Sequence, residues 1–377
     1  MNESEALSWA LDELVNLIRI PSYSNKEDAI VAYLAERVTR MGFPVHTSAV
    51  EGAGPNMLVG WDPKPKLLLT AHTDTIAPTW DWEGRERVDG TVVHGLGAQD
   101  DKGCVVACLL GLKLALDEGV ELSSMSAGVG LCVDEEVGGK GSRAMAMELQ
   151  PKFVVGVEGT ELRTAIVEAG YVEGWVTVYG KSAHHSFMEE GDNAIENAAR
   201  IIVACSEAPF TRLQHPLGAA NRVSVHALSS SPVINVVPDS ARFFLNARIF
   251  GPCSPAEVVA ELTQICDHHN GSFKPDEVSR WFETPSDAPL VQAMAAATRS
   301  VLSAEAAPTY MPARTDAHNF VEVAGSQAVV FGPGHLRSAH GPQEHVDVRE
   351  VVKAARIFAK LLADADTHLS QQESNSY

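Results

Sequence analysis

Apolar residues recur at helical spacing from Leu7 to Ile20, and Pro21, which cannot continue a helix, marks the stop. A second amphipathic stretch runs from Asp28 to Met41 and ends at Gly42. The pattern then shortens. MLVGW (57–61) and KLLLTAH (66–72) have strand character, Lys102 to Leu116 reads as a helix, and AGVGLCV (127–133) and KFVVGVE (152–158) read as strands. Runs this continuously apolar belong to strands covered on both faces. Their alternation with helices predicts an α/β sheet.

The pattern changes near Gly170. YVEGWVTVYG (171–180) alternates like a half-exposed strand. After it come a helix over about 193–206, strand-like RVSVHAL (222–228) and ARFFLNARIF (241–250), and a helix from Ser254 to His268. An antiparallel sheet with two helices on one face fits this series. From about Thr284 the first pattern returns, with a helix near 288–303, the strand SQAVVFG (326–332) and a last helix over about 348–363. The expectation is an α+β domain, 171–281, inserted into an α/β domain made of 1–170 and 282–377. The tail SQQESNSY should fray.

Charge narrows the partners. Lys+Arg number 29 and Asp+Glu 49, so the formal charge is 29 − 49 = −20. Nucleic acid and anionic membrane surfaces both call for a basic face, so neither is expected as a partner. The first residues, MNESEALSWALDELVNLIRIP, lack the basic and apolar regions of a secretory signal, and no apolar run reaches the ~20 residues that span a bilayer. Six cysteines in 377 residues make no disulfide framework. Cys104 and Cys108, at helical spacing, read as small buried hydrophobes. A reduced, cytoplasmic protein is expected.

Candidate chemistry sits where the apolar strands end. In LLLTAHTDT (67–75) a strand delivers His72 and Asp74, two residues apart and therefore on one face. The carboxylate can accept the second ring N–H and fix the tautomer of a ligating histidine; a purely structural histidine is the alternative. VDEEVGG (133–139) sets Glu135 and Glu136 together. One can bind a cation while the other acts on a water, or the pair is the acidic start of a helix. FVVGVEGTE ends a third strand at Glu158, and FGPGHLRSAHGPQEHV places His335, His340 and His345 in a loop after a fourth. At least one of those three is expected to be merely exposed. GLGAQDDKGC (95–104) puts Asp100 beside Asp101. Ligand sites of open α/β sheets gather at strand carboxyl ends, and such a donor set suits one or two borderline divalent ions. A carboxylate between two cations would explain the aspartate pair, with Asp100 as the bridge and Asp101 turned toward Lys102 or the start of the following helix.

Taken in order, HxDT, GxGxxDDKG, DEE, E and AHxxxE resemble the M20 family of metallopeptidases and amidohydrolases, from about residue 12 to 365. The resemblance implies a zinc-exopeptidase-like, mixed-sheet catalytic domain with an inserted lid and dimerisation domain. It implies two divalent ions, zinc first, with cobalt or manganese as alternatives. His72 and His340 would each ligate one ion, Asp100 would bridge them, and Glu136 and Glu158 would each ligate one. Glu135 would be the general base, and Asp74 would orient His72. A cis peptide between Asp100 and Asp101 is also implied. In the inserted domain, GKSAHHSFMEEGDNAIENAARII carries His184, the match to a histidine that in dimeric members reaches the partner's site and helps hold the oxyanion. Asn235 matches a substrate-contacting asparagine, and Arg248 matches an arginine that grips the substrate carboxylate; a strand-edge salt bridge is the alternative for Arg248. Two motifs depart from the pattern: Gly159 stands where proline is common, and PARTDAHNF carries Arg314 and His318 at less typical positions, while Asp316 remains. Arg314 is either an extra substrate contact or a surface residue.

The implied reaction is metal-assisted amide hydrolysis. The first expectation is a deacylase acting on an N-acyl amino acid, of acetylornithine deacetylase or succinyl-diaminopimelate desuccinylase type. The second is a di- or tripeptidase or carboxypeptidase, and the third a homologue that binds without catalysis. The partner expected besides the small-molecule substrate is a second copy, paired through the inserted domain.

Overall fold

A computed structural model describes residues 1–77, 86–304 and 307–369, so the predicted fraying of the tail lies outside the described residues. The chain forms two compact units, Met1–Ile166 with Thr284–Tyr377, and Val167–Glu283.

The first unit opens with α1 (Glu3–Ile18) and α2 (Asp28–Arg40). The first helix starts earlier than its apolar pattern because Asn2 caps it. Asn2 accepts the Glu5 N–H while the Glu5 side chain accepts the Asn2 N–H, a reciprocal pair that contributes about 1 kcal/mol. Then follow β1 (Val45–Ser48), β2 (Asn56–Val59), β3 (Leu67–His72), β4 (Arg87–Asp89), β5 (Val92–His94), α3 (Lys102–Asp117), β6 (Ala127–Cys132), α4 (Lys140–Leu149), β7 (Phe153–Gly156) and β8 (Ala165–Glu168).

The middle of the chain supplies β9 (Gly170–Tyr179), α5 (Ala194–Ser206), β10 (Arg222–Ser230), β11 (Ser240–Ile249), α6 (Pro255–His268), β12 (Gly271–Ser279) and β13 (Phe282–Glu283). The rest adds α7 (Pro289–Leu302), β14 (Thr309–Met311), α8 (Asp316–Ala324), β15 (Gln327–Val330), β16 (His345–Asp347) and α9 (Val348–Leu369).

A nine-stranded mixed sheet runs in the order β1-β2-β6-β3-β7-β15-β8-β13, with β14 also pairing β8. Its middle, β6-β3-β7-β15, is parallel. Every residue of β3, β6 and β7 is buried, so both faces are covered, as their apolar runs require. The helices α1, α3, α7 and α9 pack on one another, and α4 packs on α8. Because the four central strands run the same way, the residues that follow their last positions emerge at one edge of the sheet.

The second unit is a four-stranded antiparallel sheet, β10-β11-β9-β12. Alternate residues of its two central strands, among them Val172, Val176, Phe243 and Leu245, pack against Ala198 and Ile201 of α5 and Val258 and Leu262 of α6. The expected antiparallel sheet with two helices is present. The edge strand β12 had no legible pattern, since Lys274, Pro275, Asp276 and Glu277 interrupt the alternation. All six cysteines are buried and free. Among the described residues no helix is long and apolar enough to cross a membrane.

Candidate metal centre

His72 is the last residue of β3, and its imidazole is fixed from behind. Nδ1 lies 3.1 Å from the Asp74 carbonyl oxygen and 3.4 Å from Asp74 Oδ1. Donation from Nδ1 leaves Nε2 with a free lone pair. Nε2 points at Asp100 Oδ1, 2.9 Å away, with Glu158 Oε1 at 3.5 Å and Glu135 Oε2 at 4.0 Å.

The other oxygen of Asp100 serves a second imidazole. Asp100 Oδ2 lies 3.1 Å from His340 Nε2, which is 2.9 Å from Glu136 Oε2. Asp100 therefore presents one oxygen to His72, which has Glu158 beside it, and the other to His340, which has Glu136 beside it. Glu136 and Glu158 stand just beyond β6 and β7, His340 lies beyond β15, and Asp100 precedes α3. The Asp100–Asp101 peptide is cis.

Asp74 does more than orient a ring. Its Oδ1 accepts the Glu135 N–H and its Oδ2 the Glu136 N–H, both at 3.1 Å, and Oδ2 also accepts from Ser24 Oγ at 2.7 Å. One carboxylate thus aligns His72 and the backbone of both glutamates.

Asp101 does not face Lys102; its carboxylate meets the Cys104 thiol in the first turn of α3, one of the two directions expected from sequence. Its Oδ2 accepts the His72 N–H at 3.0 Å, and it makes no side-chain cap bond on α3. The physical reason is at the strand edge. Pairing of β3 with β7 ends at Thr70–Gly156, so the His72 amide has no strand partner on that side and the carboxylate supplies one. Lys102, 2% exposed, instead donates to the Ile20 carbonyl at 2.9 Å. By distance alone, His72, Asp101 and Glu158 form one possible ligand group and Asp100, Glu136 and His340 another.

The electrostatics are those of a cluster with too few cations. Burial alone would lower the His72 pKa, but the acceptors Asp100, Asp74 and Glu158 hold it well above its ordinary value. Hydrogen bonds to Asp100 and Glu136 push His340 up to about 10. Burial would raise Asp100, yet bonds from His340 and His72 hold it well below the usual carboxylate range. Burial and the Asp100 charge raise Glu158 to about 7, and burial raises Glu135 well above its ordinary value. Two borderline-soft imidazoles and three carboxylates form a donor set that fits divalent ions. Glu158 Oε2 is buried without a hydrogen-bond partner, which fits as well. Among the described residues, the groups paired with Asp100, Glu136 and Glu158 within salt-bridge distance are these histidines.

His335 and His345 stay out of the cluster. His335 Nδ1 accepts the Arg337 N–H, and His345 packs its ring 5.3 Å from that of His94. Arg314 donates to Asn319 Oδ1 at 2.7 Å, and Asn319 in turn donates to the Gly139 carbonyl, just past the two glutamates. His318 and Asp316 are buried in α8, and burial raises Asp316 to about 6. In the second unit His184 is exposed, with Nδ1 accepting the Ser186 N–H at 3.2 Å. The Asn235 carbonyl accepts the His185 N–H at 3.1 Å, so these two segments lie side by side. Arg248 stands on β11, an interior strand, with its guanidinium 5.3 Å from the Tyr171 ring centre. Among the described residues it has no salt-bridge partner, so the strand-edge ion pair is not what it makes.

Glu344 had no assigned role in the sequence, although the AHxxxE spacing contained it. It is 1% exposed, and its Oε1 accepts the N–H groups of Gln99 and Asp100 at 3.0 and 3.2 Å. Burial and the Asp100 charge push it up to about 8.

Comparison with known proteins agrees with this geometry. Residues 68–364 match the peptidase family M20/M25/M40. An acetylornithine deacetylase of Myxococcus xanthus is 28% identical over 316 residues, 79% of each chain. The crystal structure of a tripeptidase from Staphylococcus aureus superposes with a TM-score of 0.80 at 20% identity, covering 95% of this chain and 98% of that one. A Bacillus subtilis protein described as a dinuclear metal-binding peptidase from family M20 superposes with a TM-score of 0.68 at 15% identity, over 97% of this chain and 100% of that one. The two structural likenesses show the fold.

Proposed function

The chain belongs to peptidase family M20/M25/M40, a family of metal-dependent peptidases and amidohydrolases, and on that premise we propose a dinuclear metal-dependent deacylase that releases an amino acid from its N-acylated form. The observation that carries the dinuclear reading is Asp100, whose two oxygens face two different histidines, each beside its own glutamate. His72 and Glu158 would hold one ion, His340 and Glu136 the other, and Asp100 both. Asp101 spends Oδ2 on the His72 amide, and the family resemblance gives the bridging place to Asp100 and none to Asp101. Zinc suits two imidazoles with carboxylates, and cobalt and manganese accept the same donors.

When bound, the ions supply Lewis acidity that polarises the scissile carbonyl and acidifies a water. Glu135 takes the proton of the attacking water and returns it to the leaving nitrogen. Burial raises its pKa above the ordinary carboxylate value, which strengthens it as a proton acceptor. Asp74 holds His72 in one tautomer and keeps Glu135 and Glu136 aimed. In the second unit, 171–281 by sequence, His184 would help hold the oxyanion, Asn235 would contact the substrate and Arg248 would clamp its carboxylate. Arg314 would add a cationic substrate contact. This unit would also serve as lid and dimerisation domain. Support for pairing comes from β10, an edge strand, and from Val233 and Ile234, 54% and 90% exposed. In such a dimer His184 would act in the partner's site. The free thiols support a cytoplasmic location.

The deacetylase relative supports acyl amino acids as substrates, and the tripeptidase neighbour supports an exopeptidase as the second reading. A panel of N-acetyl amino acids, dipeptides and tripeptides, assayed with added Zn²⁺, Co²⁺ or Mn²⁺, separates the two. Turnover of the acyl amino acids is expected, and no turnover of either class favours a binding protein. Glu135→Ala should retain both ions and lose turnover; a fully active variant removes Glu135 from the mechanism.

A further inference from the structure

Asp134, Glu135 and Glu136 follow β6 in succession, and all three backbone N–H groups donate to buried carboxylates. Asp74 takes those of Glu135 and Glu136. The third acceptor comes from elsewhere in the chain: Glu27 Oε1 accepts the Asp134 N–H at 3.2 Å. Asp134 has φ +64°, a left-handed conformation that a non-glycine residue keeps only when its surroundings hold it.

Glu27 is fully buried, and it occupies the N-cap position of α2 without capping that helix. Its carboxylate instead takes three amides, one in its own turn and two from distant segments. Oε1 accepts from Asn25 at 2.8 Å as well as from Asp134, and Oε2 accepts from Gly54 at 3.3 Å. Gly54 fits closely at that contact: a Cβ there would stand 3.0 Å from Glu27 Oε2. Among the described residues no lysine or arginine pairs with Glu27, so it is not half of an ordinary buried ion pair. Ser24, in the same turn, donates to Asp74 Oδ2 at 2.7 Å. The turn therefore reaches the Asp134–Glu136 segment by two routes, one direct and one through Asp74.

We propose that the Ser24–Glu27 turn is a brace for hydrolysis: Glu27 directly, and Ser24 through Asp74, fix the backbone of Asp134–Glu136 and so aim the Glu135 carboxylate. This rests on Glu135 being the base. Neither residue touches substrate, and both are positioning residues. Displacing a reacting group by about 1 Å can cost ~100-fold in rate, and removing an outer partner of a metal site typically costs ~10- to 100-fold.

The test uses the metal-loaded full chain with Glu27→Gln, Ser24→Ala and Glu135→Ala in parallel, each read for kcat, KM, bound metal and melting temperature. Glutamine keeps the volume of Glu27 but turns one accepting oxygen into an NH₂ group. Because both oxygens accept N–H groups, one contact becomes donor against donor. The expected result for Glu27→Gln is kcat lower by ~10- to 100-fold, with KM within about 3-fold and two ions retained. Ser24→Ala should lower kcat by about 3- to 10-fold with the same selectivity for kcat. A folded, metal-loaded Glu27→Gln with unchanged kcat overturns the brace, as does one in which KM and metal content fail together with kcat. Should Glu27→Gln not fold, Ser24→Ala decides, and an unchanged kcat there overturns the proposal. Full activity of Glu135→Ala would instead strike the reading beneath it, so the two failures are distinguishable.

Discussion

Replacing Glu344 by glutamine and by alanine should give opposite results. The two amides it serves, those of Gln99 and Asp100, both end on the same oxygen, Oε1. A glutamine oxygen in that place can keep both bonds, whereas alanine removes both. Each buried N–H left without an acceptor costs ~1–3 kcal/mol, so Glu344→Ala should cost about 2–6 kcal/mol. That is a large share of the ~5–15 kcal/mol that holds a typical native protein together. The charge itself contributes little at neutral pH in the metal-free chain. Burial pushes the carboxyl up to about 8, so it is mainly protonated at pH 7, and glutamine mimics that neutral form. Melting of the metal-free proteins at pH 7, followed by metal content and kcat after loading, reads both consequences. Glu344→Gln should melt close to wild type, bind two ions and turn over substrate. Glu344→Ala should melt well below it and lose ~10- to 100-fold in metal affinity or rate, because Asp100 is no longer held. Indistinguishable behaviour of the two variants would refute the claim that Glu344 acts as an amide acceptor.

His340→Ala should reduce bound metal from two ions per chain to one, because the His72–Glu158 side keeps its ligands; elemental analysis reads this, and two ions retained would count against the assignment. Metal uptake should release protons, since His340 sits at about 10 and His72 well above its ordinary value before any ion arrives. Apparent affinity should therefore climb as pH rises from 7 toward 10, and a flat chelator-competition profile over that range would contradict it. The same raised pKa gives the sign for the metal-free fold. The His340 contribution is fully present below the unfolded value near 6.5 and is lost as pH rises through about 10. It is small, because the side chain is 49% exposed.

The parts of the fold legible in the sequence were those whose physics is local. β3, β6 and β7 are buried on both faces, so their apolar runs are continuous and the polar residues at their ends stand out. The strands β4, β5 and β16 are three residues each, too short to show a period, and β4 and β16 also carry exposed and charged residues. The helices α4 and α8 are short and follow glycine- and loop-rich stretches, so no apolar period marks them in the sequence. The proposed ligands stand out because they lie at the ends of readable elements: His72, Glu136, Glu158 and His340 at or beyond apolar strands, and Asp100 just before α3. What each carboxylate accepts was not legible. Asp101 answers an amide 29 positions back, Glu27 one 107 positions ahead, and Glu344 two amides 244 and 245 positions back. Such bonds are set by where strand ladders end in space, and adjacency in sequence carries no trace of them.

The central claim is that Asp100 stands between two ions. A crystal of the zinc- or cobalt-loaded protein, measured at the absorption edge of its metal, tests this most directly. Two anomalous peaks per chain are predicted, one beside His72 and Glu158 and one beside His340 and Glu136, each touching a different oxygen of Asp100. A single peak, or a pair that leaves Asp100 uncoordinated, would contradict the account.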